Sequence, residues 1–195
     1  MNTQAIELET LKQLELMNKE NKTRSSLMLP KYLDGNLVIT NGFLALKISD
    51  EKYNEDGRTD YPSNVDKLFD GDEIGTIELS QIDMKSLKEI VSTFKRLKED
   101  TIRITFGEDD FIINGYSNGY SNNIEVKLPY QKIVFSGDII NKEIIINPKY
   151  LEQMLAYYIK LKAAIIDIKI YGDNRPIQIT SGNVQYLACQ IRKPW

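Results

Sequence analysis

The sequence predicts an α+β fold of repeated strand–helix–strands units, with antiparallel sheets and the helices on one side. Three observations predict it: three stretches carry apolar residues at helical spacing, strand-like runs follow each stretch, and the turns between the runs have hairpin composition. The chain has 195 residues, of which 42% are hydrophobic. It is therefore long enough to bury a core without metals or disulfides.

The first unit begins with a predicted short strand at residues 4–7. An amphipathic helix follows, because leucines and a methionine recur near helical spacing. These apolar residues are Leu8, Leu11, Leu14, Leu16 and Met17. The polar segment NKENKTRSS ends the helix, and strands are predicted at 26–33, 36–41 and 43–49.

The second unit is predicted to start with a strand at 75–79. Ser80 is a plausible N-cap for a helix over 83–100, whose apolar residues fall on one stripe. These are Leu87, Ile90, Val91, Phe94 and Leu97. Three strands complete the unit, at 101–107, 110–117 and 122–129.

The third unit repeats this order. It has a strand at 143–147, a helix over 148–162 with Pro148 in its first turn, and three closing strands. The closing strands are predicted at 164–172, 176–182 and 184–191. The polar segment 51–74 is the predicted connection, which gives a first domain at 1–74 and a second at 75–195, itself made of 75–135 and 136–195.

The composition argues against most enzyme classes. Histidine is absent, Cys189 is the single cysteine, and there is neither a phosphate-binding Walker loop nor a Gly-rich dinucleotide turn. A small carboxylate-and-metal nuclease stays open, with Asp109, Asp110 and Asp138 as imaginable ligands, although acids in a hairpin turn usually serve the turn. We therefore expect no catalysis and no cofactor. The N-terminus has no apolar signal-peptide core and no segment is apolar enough to span a bilayer, so we expect a cytoplasmic protein.

Basic residues recur on all three helices although the net charge is −3. The candidate DNA-binding residues are Lys12, Lys19, Lys85, Lys88, Lys95, Arg96, Lys149 and Lys160. On any one helix such residues are more often a solvated face, paired with acids such as Glu15, Glu89, Glu99 and Glu152. The same bias on three helices favours non-specific contact with the phosphates of double-stranded DNA.

Four segments in order resemble the bacterial β clamp of the DNA sliding clamp family. LVITNGFLA (37–45) is similar to that family's strand–turn segment Thr-Asp-Gly-His-Arg-Leu-Ala, and YPSNVDKL (61–68) to its Pro-containing connector. IIINPKYL (144–151) resembles the start of the family's last helix, and PIQI (176–179) with YLACQIR (186–192) resembles its closing strands. The turn departs from the family at Asn41 and Phe43, and the C-terminus shifts the proline and adds Trp195.

The resemblance implies a processivity factor that holds a polymerase or clamp-loader peptide in an apolar groove. Carried over, the groove residues are Thr40, Gly42, Phe43, Leu44, Leu68, Leu187 and Cys189. A family subunit has six units and we count three, so the resemblance implies a shortened clamp, of phage or mobile-element type, that forms a homo-oligomeric ring. The alternative is an interaction module or inhibitor that keeps the fold without the ring and docks on a replication protein.

Overall fold

A computed structural model of the chain describes residues 3–21, 24–57, 59–62, 65–107, 110–117, 120–129, 135–137, 142–172 and 175–191. Three α-helices occur in this part: α1 (Thr3–Asn18), α2 (Gln81–Arg96) and α3 (Pro148–Lys160). The strands are β1 (Lys31–Leu33), β2 (Asn36–Thr40), β3 (Leu44–Ser49), β4 (Gly75–Ser80), β5 (Ile102–Phe106), β6 (Asp110–Ser117), β7 (Tyr120–Pro129), β8 (Phe135–Gly137), β9 (Glu143–Ile146), β10 (Ile165–Ile170), β11 (Ile177–Ser181) and β12 (Val184–Ala188). Short 3₁₀ helices lie at Ser25–Leu27 and Asp66–Phe69.

The strands form two antiparallel sheets, which confirms the predicted α+β class. An eight-stranded sheet has the order β1-β2-β3-β12-β11-β10-β4-β8, and a four-stranded sheet has the order β7-β6-β5-β9. We call α1–β3 (3–49) the first unit, β4–β7 (75–129) the second unit and β9–β12 (143–188) the third unit.

The second and third units exchange their first strands. Strand β4 pairs with β10 of the third unit, where Ile77 lies opposite Ile168. Strand β9 pairs in the same way with β5 of the second unit, where Ile144 lies opposite Ile104. Each unit therefore completes the sheet of the other, as expected of two copies related by an approximate twofold axis.

Local sequence explains where helices α2 and α3, which pack against each other, begin. The Ser80 hydroxyl accepts a hydrogen bond from the Asp83 N–H at 3.3 Å, which confirms Ser80 as the N-cap of α2. The Asn147 side chain accepts from the Lys149 N–H at 2.9 Å, and Pro148 occupies the first turn of α3. Helix α2 contacts α3 through Glu152, which binds Ser92 at 2.7 Å and Lys95 at 2.5 Å.

The first unit joins the third unit through the sheet and through the helices. Strand β3 pairs with β12, where Leu46 lies opposite Tyr186. Helix α1 lies beside α3, and the contact is polar: the Thr10 and Tyr157 hydroxyls are 3.1 Å apart, and the Gln153 side-chain amide donates to the Gln13 side chain at 2.8 Å. A continuous sheet and a hydrogen-bonded helix contact thus hold this junction.

The central strands are buried on both faces. Ile39, Leu46 and Tyr186 point into the main core beneath the helices, whereas Val38 and Leu187 point into a second cluster on the opposite face. That second cluster is covered by Tyr61, Val65 and Phe69, which lie in the segment predicted as the connection, 51–74. The burial on both faces explains why the strand residues 37–39 and 44–46 are all apolar.

Several sequence predictions need correction. Residues 4–7 belong to α1 and form no strand, and residues 26–33 are strand only from Lys31. Helix α1 buries only part of the predicted apolar stripe: Met17 is buried and Leu14 packs against the core, but Leu8, Leu11 and Leu16 are exposed. Its buried polar residues are Glu9, Thr10 and Gln13. The reason is the polar neighbour α3, which hydrogen-bonds the polar side of α1.

Residues 50–56 fold back over the first unit. The backbone N–H of Tyr32 donates to Asp56 Oδ2 at 2.9 Å, and its carbonyl accepts from the Asp56 N–H at 3.3 Å. The Tyr53 ring lies 5.8 Å from the Tyr32 ring, and Lys52 forms an ion pair with Glu7 of α1. We call this segment the connector cap, because it covers the outer edge of β1.

Candidate peptide groove and helix face

The β2–β3 turn is built by its polar side chains. The buried Asn41 amide oxygen accepts from the N–H groups of Phe43 at 2.9 Å and Leu44 at 2.7 Å. The Thr40 hydroxyl donates to the Leu44 carbonyl at 2.6 Å and accepts from the Gly42 N–H at 3.0 Å. Gly42 has φ +88°, a conformation that favours glycine. The turn is therefore a rigid support for the residue after it.

Phe43 projects from this turn with 51% of its surface exposed. Its ring stacks on Tyr150 of α3 at 5.9 Å and 17°. Burial raises the pKa of Tyr150, so its ring stays uncharged. Phe43 and Tyr150 thus form an aromatic wall, in which the Tyr150 ring supports the bulky side chain that follows the turn glycine.

Two adjoining cavities lie beside the turn and share Thr40, Gly42 and Leu68. The larger has a volume of about 640 Å³, and its remaining lining residues are Arg24, Ser25, Ser26, Leu27, Pro62 and Val65. The smaller, of about 40 Å³, is also lined by Phe43, Leu44, Ala45, Pro176, Leu187 and Cys189. We call the two cavities together the groove. All seven residues carried over from the resemblance lie on its walls.

Sequence reasoning missed part of the groove. Pro62 and Val65 stand in the connector segment that resembles the clamp family, so a signal existed for them. Leu27 carried none, because residues 26–33 read as a strand, and Arg24 carried none, because it stands in the polar segment that ends the first helix. Pro176 comes from the turn before β11, and only the tertiary fold brings it to the groove.

Arg24 is a charged residue that lines the larger cavity of the groove. The Arg24 guanidinium lies against Gly42 and donates to the Asn41 carbonyl at 3.4 Å. Lys149 forms an ion pair with Glu20, which also accepts from the Asn41 amide at 2.5 Å. Burial raises the pKa of the Cys189 thiol, so that side chain is neutral at pH 7.

The structure pairs most of the predicted DNA-binding cations with carboxylates. Lys12 and Lys160 both contact Glu9, at 2.6 and 3.5 Å. Lys88 lies 3.6 Å from Glu89, and Lys95 binds Glu152. Arg96 donates to the Thr93 hydroxyl at 3.0 Å. Lys149 forms an ion pair with Glu20, and the described residues include no carboxylate partner for Lys19 or Lys85.

The described part of the chain offers neither a metal site nor a membrane span. No cluster of three or more acids or cysteines there is arranged to hold a metal ion. Of the imagined ligands, Asp110 begins β6, and its carbonyl accepts from the Gly107 N–H at 2.8 Å, whereas Asp109 and Asp138 lie outside the described residues. No described helix has the length and apolarity to cross a bilayer.

Comparison with solved structures identifies the fold. The chain superposes on the DNA polymerase III subunit beta from Borrelia burgdorferi, solved with a natural product, with a TM-score of 0.67 over 92% of this chain. For the DNA polymerase sliding clamp from Bacillus subtilis the TM-score is 0.64 over 93% of this chain. The chain has the fold of a DNA sliding clamp. The clamp from Bartonella birtlesii, solved with bound griselimycin, gives a TM-score of 0.67 over 88% of this chain.

Sequence similarity to these clamps is low. The identities are 13%, 14% and 14%, and the chain spans 61%, 63% and 59% of the Borrelia, Bacillus and Bartonella clamps. No protein-family model and no curated protein matches the sequence. The similarity to the clamps therefore lies in the arrangement of helices and sheets rather than in sequence identity. The order of the four resembling segments had predicted this clamp fold.

Proposed function

We propose that this protein is a sliding-clamp-like processivity factor that holds an apolar peptide of a DNA polymerase or clamp loader in the groove. The observation that carries the proposal is the 640 Å³ cavity, since specific peptide sites are apolar concavities with a few fixed polar groups. It is flanked by an exposed aromatic side chain, and aromatic anchors are typical of binding hot spots. The protein would supply no chemistry of its own and would act in the cytoplasm.

The test is peptide binding by Phe43→Asp. A fluorescein-labelled peptide containing a Leu-Phe pair should bind at least about tenfold more weakly, a difference of about 1.4 kcal/mol, because a carboxylate replaces the apolar wall. Circular dichroism should show an intact fold, since Phe43 is half exposed. Ile82→Asp is the matched control, because Ile82 is similarly exposed but lies on α2. Full retention of affinity by Phe43→Asp would remove Phe43 from the site.

We propose further that the helix layer contacts the backbone of double-stranded DNA without sequence preference. Replacing Lys85, Lys88 and Lys95 with Glu should weaken DNA association and flatten its dependence on salt, by roughly 0.9 in log–log slope for each phosphate that is no longer neutralised. Because Lys95 also binds Glu152, the variant Lys95→Gln distinguishes weaker DNA binding from repulsion within the protein. An unchanged slope in the triple variant would exclude α2 as the contact face.

The domain division at 74/75 is part of the proposal. It is supported by the exchange of β4 and β9, which ties 75–135 and 136–195 into one body, while the first unit joins that body at β3 and β12. A homo-oligomeric ring would require further sheet-edge contacts between copies.

One observation favours the alternative, a clamp-fold module that docks on a replication protein without forming a ring. The connector cap occupies the outward backbone groups of Tyr32, so β1 does not offer a free edge there. The mass in solution, with and without DNA, distinguishes the two. A closed oligomer supports the ring, and a stable monomer supports the module.

A further inference from the structure

Helices α2 and α3 end in the same unusual way. Lys98 has φ +62° and Lys162 has φ +55°, and each is the second residue after the last helical one. They are the non-glycine residues with positive φ in the described part of the chain. A side chain with a Cβ is disfavoured in this conformation, which glycine normally takes at a helix end.

The hydrogen bonds show that the backbone requires this conformation. The Lys98 N–H donates to the Lys95 carbonyl at 3.1 Å, and the Glu99 N–H donates to the Phe94 carbonyl at 3.1 Å. In α3 the Lys162 N–H donates to the Ile159 carbonyl at 3.0 Å, and the Ala163 N–H donates to the Tyr158 carbonyl at 3.1 Å. This is the Schellman pattern in both helices, and its left-handed position is the one each lysine fills.

The chain uses glycine at its other left-handed positions. These are Gly35, Gly42, Gly57, Gly172 and Gly182. Lysine therefore stands at two structurally equivalent positions where glycine would be more stable, which is the kind of backbone outlier that points to function.

Neutralising the helix dipole does not explain the two lysines. A cation near a helix C-terminus is favourable, but α2 already carries Lys95 and Arg96 in its last turn and α3 carries Lys160. Lys95 and Lys160 are engaged with Glu152 and Glu9. Lys98 and Lys162 are exposed, and the described residues contain no carboxylate partner for either.

We propose that Lys98 and Lys162 are phosphate-contact residues for double-stranded DNA, kept at the two helix ends at the expense of stability. The inference rests on the proposed DNA association of the helix layer. It shifts the main contacts from lysines within the helices, of which Lys88, Lys95 and Lys160 are ion-paired, to the two lysines that follow α2 and α3.

The experiment replaces both lysines with glycine in the full chain. Lys98→Gly and Lys162→Gly should each raise the melting temperature by roughly 2–4 °C, because glycine adopts this backbone without strain. The double variant should bind a duplex oligonucleotide more weakly, with the log–log salt slope smaller by roughly 2. Lys98→Arg with Lys162→Arg keeps both charges and should retain the slope. Lys127 is exposed on β7, so Lys127→Gln removes a charge elsewhere and should leave binding unchanged.

The outcomes separate the inference from the function on which it rests. If the parent protein binds duplex DNA and the double glycine variant binds it with the same affinity and slope, the inference is wrong and the proposed DNA association stands. If the parent shows no salt-dependent binding, both fail. A fall in melting temperature, or equally weakened binding in Lys127→Gln, would also overturn the inference, since structure or net charge would then explain the effect.

Discussion

Replacing Gly42 with alanine tests the β2–β3 turn and the groove together. The backbone at Gly42 has φ +88°, and an added Cβ would lie too close to the Arg24 guanidinium, which must swing away. A left-handed conformation costs a residue with a Cβ about 1–2 kcal/mol. For a chain of this size that lowers the melting temperature by roughly 2–8 °C. Displacing Arg24 from the cavity wall should weaken peptide binding by roughly fivefold, which corresponds to about 1 kcal/mol.

Gly35→Ala is the matched control for this prediction. Gly35 has φ +67°, but no atom lies within 4 Å of the position its Cβ would take. Thermal unfolding followed by circular dichroism should show a similar decrease in stability for both variants. Fluorescence anisotropy with the labelled peptide should show weaker binding for Gly42→Ala alone. Equal peptide affinity in the two variants would refute the placement of Arg24 and Gly42 in the binding site.

Two further predictions use titratable groups. Cys189 lines the smaller cavity and burial raises the pKa of its thiol, so alkylation by iodoacetamide should be slow at pH 7. Saturating peptide should slow the alkylation further. If the peptide leaves the alkylation rate unchanged, the peptide binds elsewhere. The hydrogen bond from Lys12, opposed by burial and assisted by the charge of Lys160, holds the pKa of Glu9 below its ordinary value of 4.5. The ionised carboxylate therefore stabilises the fold above that ordinary value and loses its effect as the pH falls through the lowered one. Glu9→Gln should be less stable than the parent in urea at about pH 7 and should match it at about pH 2; a difference that persists in acid would contradict the role of the charge.

The sequence predicted most of the second and third units because local and tertiary preferences agree there. Ser80, Asn147 and Pro148 mark helix starts that the structure keeps. The buried side of the first helix was harder to predict. Its leucines fit helical spacing, but the side that is buried is the one that hydrogen-bonds to polar groups on α3. A pattern of apolar residues cannot reveal that Glu9, Thr10 and Gln13 have partners 140 residues or more away.

The groove was foreseeable only in part. Thr40, Gly42 and Phe43 lie in one contiguous turn, so a single motif proposes them together. Arg24 lines the larger cavity and Pro176 the smaller one, and these separate segments meet at the groove only once β3 has paired with β12. The ion pairing of the lysines was not foreseeable either, because Lys95 contacts Glu152 only once α2 packs on α3.

The connector cap also bears on how the protein behaves at high concentration. An exposed strand edge is a template on which a second chain can stack and begin a fibril. Asp56 already holds the amide and the carbonyl of Tyr32, and Lys31 binds the same carboxylate at 2.7 Å. At Tyr32 the outer edge of β1 is therefore closed to a second strand by the chain itself, through both the side chain and the backbone of Asp56.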